Sequence, residues 1–253
     1  MTDKDQSVYI KGKRHYPLSD GTLVPSVSTF LNVLPKPALD RWKIKQVAEA
    51  AVKYKASWEA LPEEAAVDLL AGGKLGSTKA RDNGDIVHKI LEDLFMGRDP
   101  HVPEGFERVP EIYERFTTDY DVKVFAVEPE VRSYSLLYAG SLDWMGWING
   151  ELVILDWKSG SGLYGSTAYQ LAAYAMADKI VIDGKEQDMP QVAGTMGAWV
   201  RKSGYALYPM AFDDDVKTVV RAARALYDRV DNDWKYRGKP INPNPIRSKG
   251  ADW

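Results

Sequence analysis

Asn149-Gly150, set between two apolar runs, constrains this chain of 253 residues more than any other pair. A two-residue type I′ turn needs positive φ at both central positions, and Asn-Gly supplies this at little cost. With those two residues as the loop, Ile148 faces Glu151 and the register of both strands is set. Counting outward, Asp143 stands directly opposite Asp156, with Cβ atoms roughly 4.5–5.5 Å apart. Two facing carboxylates repel, and Asp156 ends the apolar run Leu152-Val153-Ile154-Leu155, so burial aggravates the repulsion. A divalent cation relieves it. The inference hangs on register, because a slip of one residue turns the pair to opposite faces.

Lys158 lies two residues beyond Asp156 and leaves the same face of the strand. An ammonium beside a carboxylate-held hard cation such as Mg²⁺ can position or deprotonate a water, or stabilise charge on a phosphoryl oxygen. That combination suits phosphodiester hydrolysis. The ordinary alternative is an ion pair at a strand end, with Asp143 a solvated residue after the Gly140 turn. Glu128 and Glu130, two apart on the preceding strand, share a face, and either could supply a third carboxylate; the alternative is a solvated edge. His88 borders the apolar helix stripe Val87, Ile90, Leu91 and Leu94, where it is either a half-buried structural residue or a ligand. Gln170 and Tyr174 are neighbours on one helix face, and core packing is the default reading of the tyrosine.

Pattern and turn signals give a mostly helical region over residues 1–121, a sheet region over 122–212, and a helix with a basic tail over 213–253. An opening hairpin from Tyr9 to Tyr16 precedes helices over Val27–Leu34, Ala38–Tyr54, Leu61–Leu70, Ser77–Met96 and Phe106–Tyr120. Strands follow over Val122–Tyr134, Tyr138–Ile148 and Glu151–Trp157. Then come a helix over Ser166–Ala177, strands over Val192–Arg201 and Tyr205–Phe212, and a helix from Asp214 to about Tyr236. The expected fold is α/β: one domain with a mixed central β-sheet flanked by helices and a helical N-terminal region.

Composition closes several routes. With 45% hydrophobic and 27% charged residues there is material for a core, and intrinsic disorder is excluded as the main state. No apolar run reaches the roughly 18 residues of a membrane span, and Met1 to Gln6 lacks an apolar signal core, so the expected location is cytoplasmic. Zero cysteines exclude disulfides, thiolate zinc sites, cysteine nucleophiles and thiolate-held iron–sulfur clusters, leaving metals to oxygen and imidazole. A net charge of −3 argues against coating nucleic acid by bulk electrostatics. Local basic groups remain: Lys11, Lys13 and Arg14, then Arg201 and Lys202, then five basic and no acidic residues from Trp234 to Ala251.

In order, Gly84…His88, Glu128, Gly140-Ser141-Leu142-Asp143, Asp156-Trp157-Lys158 and Gln170…Tyr174 resemble the signature of the RecB-like branch of the PD-(D/E)XK nuclease superfamily. The match spans about a third of the chain, from Gly84 to Ala177. Pro25 to Thr29, with Leu39 and Trp42, is similar to the N-terminal helical region of bacteriophage members. The resemblance implies a restriction-endonuclease-like core and an Mg²⁺- or Mn²⁺-dependent deoxyribonuclease, most often an exonuclease of recombination or replication. It implies that Asp143, Asp156 and the carbonyl of Trp157 bind the metal, that Glu128 and His88 assist or hold a second ion, and that Lys158 serves the water. Gln170 and Tyr174, with Ser166, Arg201 and Lys202, are the implied substrate contacts. Some relatives carry four cysteines for an iron–sulfur cluster; this chain resembles the cluster-free members.

The leading expectation is therefore an exonuclease on DNA ends or single strands, in the host cytoplasm if phage-encoded, with or without a recombination or replication partner protein. Two rivals stay open: a structure-specific or restriction-type endonuclease with the same core, and a non-catalytic module that binds DNA ends. Oligomeric state, polarity and strand preference stay open too.

Overall fold

The computed structural model describes residues 7–71, 79–160 and 162–230. Strands β1 (Val8–Ile10), β2 (Lys13–Pro17) and β3 (Leu23–Pro25) open the chain, and helices α1 (Val27–Leu31), α2 (Pro37–Lys53), α3 (Lys55–Trp58), α4 (Glu63–Ala71), α5 (Lys79–Phe95) and α6 (Arg108–Asp119) follow. Next are strands β4 (Val122–Val127), β5 (Glu130–Ser133), β6 (Tyr138–Ser141), β7 (Trp144–Ile148) and β8 (Glu151–Lys158), then helix α7 (Ser166–Ala175). Strands β9 (Lys179–Ile182), β10 (Lys185–Asp188), β11 (Gly194–Arg201) and β12 (Gly204–Met210) lead to helix α8 (Asp214–Val230).

The central sheet is mixed, in the order β12-β11-β8-β7-β4, with β8 and β11 parallel and its other pairs antiparallel. Helices α5 and α6 cover one face, where Ile90, Leu91 and Phe116 meet Trp144, Leu155 and Trp157. Helices α1, α7 and α8 cover the other, where Phe30, Leu171 and Val220 meet Met145 and Ile154. Alternation along β8 produces this division, since Leu155 and Trp157 leave one face while Ile154 and Asp156 leave the other. A second sheet runs β10-β9-β5-β6, and the opening strands form a third, β1-β2-β3.

Two expected strands are each divided. Val122–Tyr134 becomes β4 and β5, and Tyr138–Ile148 becomes β6 and β7, with each half in a different sheet. Both divisions fall at the same level, and the register is unchanged across them: Val127 faces Trp144 on one side and Glu130 faces Ser141 on the other. The ladder even bridges the bend, with Glu128 N donating to Asp143 O (3.0 Å) and Leu142 N to Pro129 O (3.2 Å). One long hairpin thus passes from the second sheet into the first. The cause is local: Glu128 adopts φ +52 and Pro129 follows, which no straight strand accommodates.

The β9–β10 hairpin was not expected, although its turn, Asp183-Gly184 with φ +51 and +73, is the same type of signal as Asn149-Gly150. The helix expected to reach Tyr236 is described to Val230, and the basic tail lies outside the described residues.

Candidate active site and metal centre

The Asn149-Gly150 turn has φ +51 and +87, and the β7–β8 ladder runs from Ile148–Glu151 to Trp144–Leu155. The next step along the same register is Asp143 opposite Asp156, at the end of β8 that lies between the two helical layers. Asp143 Oδ2 accepts a hydrogen bond from Trp157 N at 2.8 Å. Asp156 is 1% exposed. Lys158 Nζ stands 2.5 Å from Asp156 Oδ2 as an ion pair, while Asp156 Oδ1 has no hydrogen-bond partner among the described residues. The Lys158 ammonium offsets part of the cost of burying that carboxylate, and a divalent cation on its free oxygen would offset more.

Two further groups converge on Asp143. Helix α5 brings His88, whose Nδ1 lies 3.3 Å from Asp143 Oδ2. The bend of the long hairpin brings Glu128, held by its amide on the Asp143 carbonyl and by Ser141 Oγ, which is 3.1 Å from both Glu128 O and Glu128 Oε2. One ligand atom each from His88, Glu128 and Asp143 lie within 4.8 Å of one another. This is metal-ligand spacing for a hard or borderline cation. Asp156 stands beside that trio, through Asp143, rather than within it.

Of the two glutamates, Glu128 stands with His88 and Asp143, while Glu130 Oε1 accepts from Arg132 Nε at 2.6 Å. Glu128 is the one at the site.

Charge coupling within the cluster is strong. Burial raises the Asp156 pKa and the neighbouring Asp143 raises it further, against the pull of Lys158. Burial would raise Asp143 too, but His88, Lys158 and the Trp157 amide outweigh it and hold that carboxyl below its ordinary value. Burial and Asp143 push Glu128 up to about 7. For His88, burial opposes the charge, but the facing Asp143 and then Asp156 lift it to about 9. Lys158 is likewise desolvated, and Asp156 and Asp143 still raise it, so its ammonium form is held. Two cations and three carboxyl groups thus share one small volume, which is the electrostatic pattern of a site that trades protons for a metal.

The remaining expected residues divide by burial. Tyr174 is 5% exposed and packs in the core beside Gly140, where an added Cβ would lie 3.0 Å from Tyr174 Cε1 and 3.1 Å from Val27 Cγ2. Its ring packs as a core residue, while burial first, and Asp143 and Asp156 after it, raise its hydroxyl pKa well above the ordinary value. Gln170, whose Nε2 donates to Tyr174 Oη at 3.2 Å, is the half-exposed partner. Ser166 is exposed at the start of α7, and Arg201 and Lys202 are exposed at the end of β11. The Trp157 side chain is buried against α5 and α6, so this residue reaches the site through its backbone. In the opening hairpin, Lys13 and Arg14 lie over the rings of Tyr227 (5.3 Å) and Tyr16 (4.9 Å). Ser141, inside the Gly140–Asp143 motif, was not singled out in the sequence although its hydroxyl reaches Glu128, and neither was Trp199, whose place beside Lys158 only the pairing of β8 with β11 reveals.

No helix among the described residues is long and apolar enough to cross a membrane. No protein-family model matches the chain, and no curated protein matches it. Among solved structures it is similar to the crystal structure of SSO0001, at 16% identity and a TM-score of 0.31, over 78% of this chain and 73% of that one. It is also similar to an alkaline exonuclease (LHK-Exo) from Laribacter hongkongensis, at 9% identity and a TM-score of 0.33, over 64% of this chain and 84% of that one. The same exonuclease in complex with dAMP gives 8% identity and a TM-score of 0.33.

Proposed function

We propose that the chain is a divalent-metal-dependent deoxyribonuclease that hydrolyses phosphodiester bonds at DNA ends, serving recombination or replication. The observation that carries this reading is Asp156: a buried carboxylate, paired with Lys158 through one oxygen and with the other unpartnered among the described residues, beside a second carboxylate that already engages His88 and a backbone amide. A fold that needed only stability would not keep it. Asp143, Asp156, Glu128 and His88, with the Trp157 carbonyl, are the groups that would hold Mg²⁺ or Mn²⁺, one ion or two. The ion, when bound, supplies positive charge to a phosphoryl oxygen and lowers the pKa of a water. With no cysteine in the chain, an iron–sulfur cluster held by thiolates has no ligands here.

Lys158 is proposed to act as an ammonium, because the flanking carboxylates favour its protonated form. In that state it orients water and stabilises charge growing on the phosphate. Gln170, Ser166, Arg201 and Lys202 are proposed to bind the DNA backbone around the site. Digestion of end-labelled linear DNA beside closed circular DNA, with Mg²⁺, Mn²⁺ or EDTA, tests the reading. Loss of the linear substrate alone, only with metal, is expected. Cutting of the circle would shift the assignment to an endonuclease, and undiminished cutting in EDTA would end the metal reading.

A further inference from the structure

Lys158 and Trp199 are Cα partners in the parallel ladder between β8 and β11, so their side chains leave the same face of the sheet. Arg201, two residues further along β11, leaves that face as well. Its guanidinium carbon lies 4.4 Å from the centroid of the Trp199 ring. The edge of the indole is tied to the chain that follows Lys158, with Trp199 Nε1 donating to Gly160 O at 2.9 Å. That returning loop also packs on β11 at Gly197, the partner of Asp156, where an added Cβ would come within 2.8 Å of Leu163. Loop, indole and guanidinium therefore form one connected unit anchored at both ends on the carboxylate cluster's own strand and its neighbour.

Arg201 is exposed, and among the described residues no ion pair neutralises it. Arg98, Arg108, Arg132 and Arg224 differ in that each pairs with a carboxylate. A guanidinium laid on an indole loses little further freedom when it binds an anion, and its planar fork suits phosphate oxygens. We propose that Trp199 and Arg201 form a backbone-phosphate seat beside the cleavage position, in which Arg201 binds a phosphodiester flanking the scissile one and Trp199 positions it. This rests on the nuclease reading for its substrate, but its test does not require cleavage.

The test is fluorescence anisotropy of a short end-labelled DNA duplex in Ca²⁺, for wild type, Arg201→Ala, Trp199→Leu, Trp199→Phe and the double variant Trp199→Leu/Arg201→Ala, with thermal melts as the folding control. Arg201→Ala is expected to weaken binding about fivefold and to reduce the steepness of the log Kd against log salt plot by about 0.9, as loss of one phosphate contact requires. Trp199→Leu should match it, Trp199→Phe should retain most of the affinity by keeping a ring, and Trp199→Leu should add nothing once Arg201 is gone. Wild-type affinity in Arg201→Ala, a surface change that leaves the fold intact, overturns the seat. So does a Trp199→Leu loss that is equally large with and without Arg201, which would make the indole merely structural. If wild type cleaves while these variants bind normally, the nuclease reading stands and the seat falls. If binding follows Arg201 but wild type never cleaves with Mg²⁺ or Mn²⁺, the seat stands and the nuclease reading falls.

Discussion

The backbone amide of Glu128 donates to the carbonyl of Asp143 at 3.0 Å, so two carboxylate residues from neighbouring strands are joined through their main chains at the point where both strands change sheet. Their side chains are thereby aimed at one place by the bend itself. Glu128 holds φ +52 to do so, a conformation that glycine adopts without penalty and glutamate does not.

Glu128→Gly and Glu128→Ala both remove the carboxylate, but only glycine relieves the backbone. Calorimetric unfolding of the metal-free protein should find the glycine variant more stable than the alanine variant by about 1 kcal/mol. Both should bind Mn²⁺ more weakly than wild type and cleave DNA poorly. Equal stability would show that the left-handed backbone there carries no strain.

Lys158→Ala and Asp156→Asn should both stop cleavage, by different routes. The lysine variant keeps all carboxylates, so Mn²⁺ binding by titration calorimetry should remain close to wild type while turnover falls about a hundredfold, about 2.7 kcal/mol. Asp156→Asn should bind Mn²⁺ clearly more weakly and melt higher without metal, by about 1 kcal/mol, since it removes a buried charge that Asp143 opposes. Wild-type cleavage in both would place the chemistry elsewhere.

Between about pH 4 and 9 the cluster's contribution to the stability of the metal-free protein should fall as pH rises: Asp156, raised from 3.8 to about 6, begins the loss, and Asp143, held below 3.8, acts with the opposite sign only at lower pH. Glu128 is raised from 4.5 to about 7 and His88 from 6.5 to about 9. A group with a raised folded-state pKa contributes stability fully below its unfolded value and loses it as pH passes the folded one. The Glu128 part is therefore present below pH 4.5 and lost through 7, and the His88 part is present below pH 6.5 and lost through 9. Deprotonation frees both as ligands, so the rise in Tm caused by Mn²⁺ should grow over the same window. Melts at pH 5, 7 and 9 with and without metal check this, and Glu128→Gln should flatten the lower part.

The two motif glycines should respond oppositely to alanine. At Gly140 the new Cβ lies 3.0 Å from Tyr174 Cε1 and 3.1 Å from Val27 Cγ2, so Gly140→Ala should destabilise by about 1–3 kcal/mol. At Gly84, inside α5, the nearest neighbour is Ser159 Oγ at an ordinary 3.6 Å, so Gly84→Ala should stabilise by up to about 1 kcal/mol through helix propensity. Denaturant melts of the two variants decide it.

Much of this site was legible in the sequence because one turn dictates one register. Asn149-Gly150 placed Asp143 against Asp156 before any coordinates, and alternation put Lys158 beside them. The bend at Glu128 was not legible as a change of sheet, because Pro129 and Asp143 each fit within an alternating strand pattern taken one strand at a time. Core packing of Tyr174 was the default reading of its helix face, but its partners Gly140 and Val27 come from two other elements, and no local pattern names them. The place of Trp199 beside Lys158 required the β8–β11 pairing, a contact across a helix and a hairpin.

The unchanged register on either side of the Glu128 bend fixes where this chain can grow. One residue added between Val127 and Glu130 would turn every later side chain of β5 over, swinging buried Val131 out to water and the Glu128 carboxylate away from Asp143. An addition after Asn149, at the exposed tip, lengthens the loop without turning any strand over, provided the ladder from Ile148–Glu151 and the two bonds of Asn149 to Asp121 are kept. Chains descended from this one have more room to differ in length at Gly150 than between Val127 and Glu130, where the count must hold.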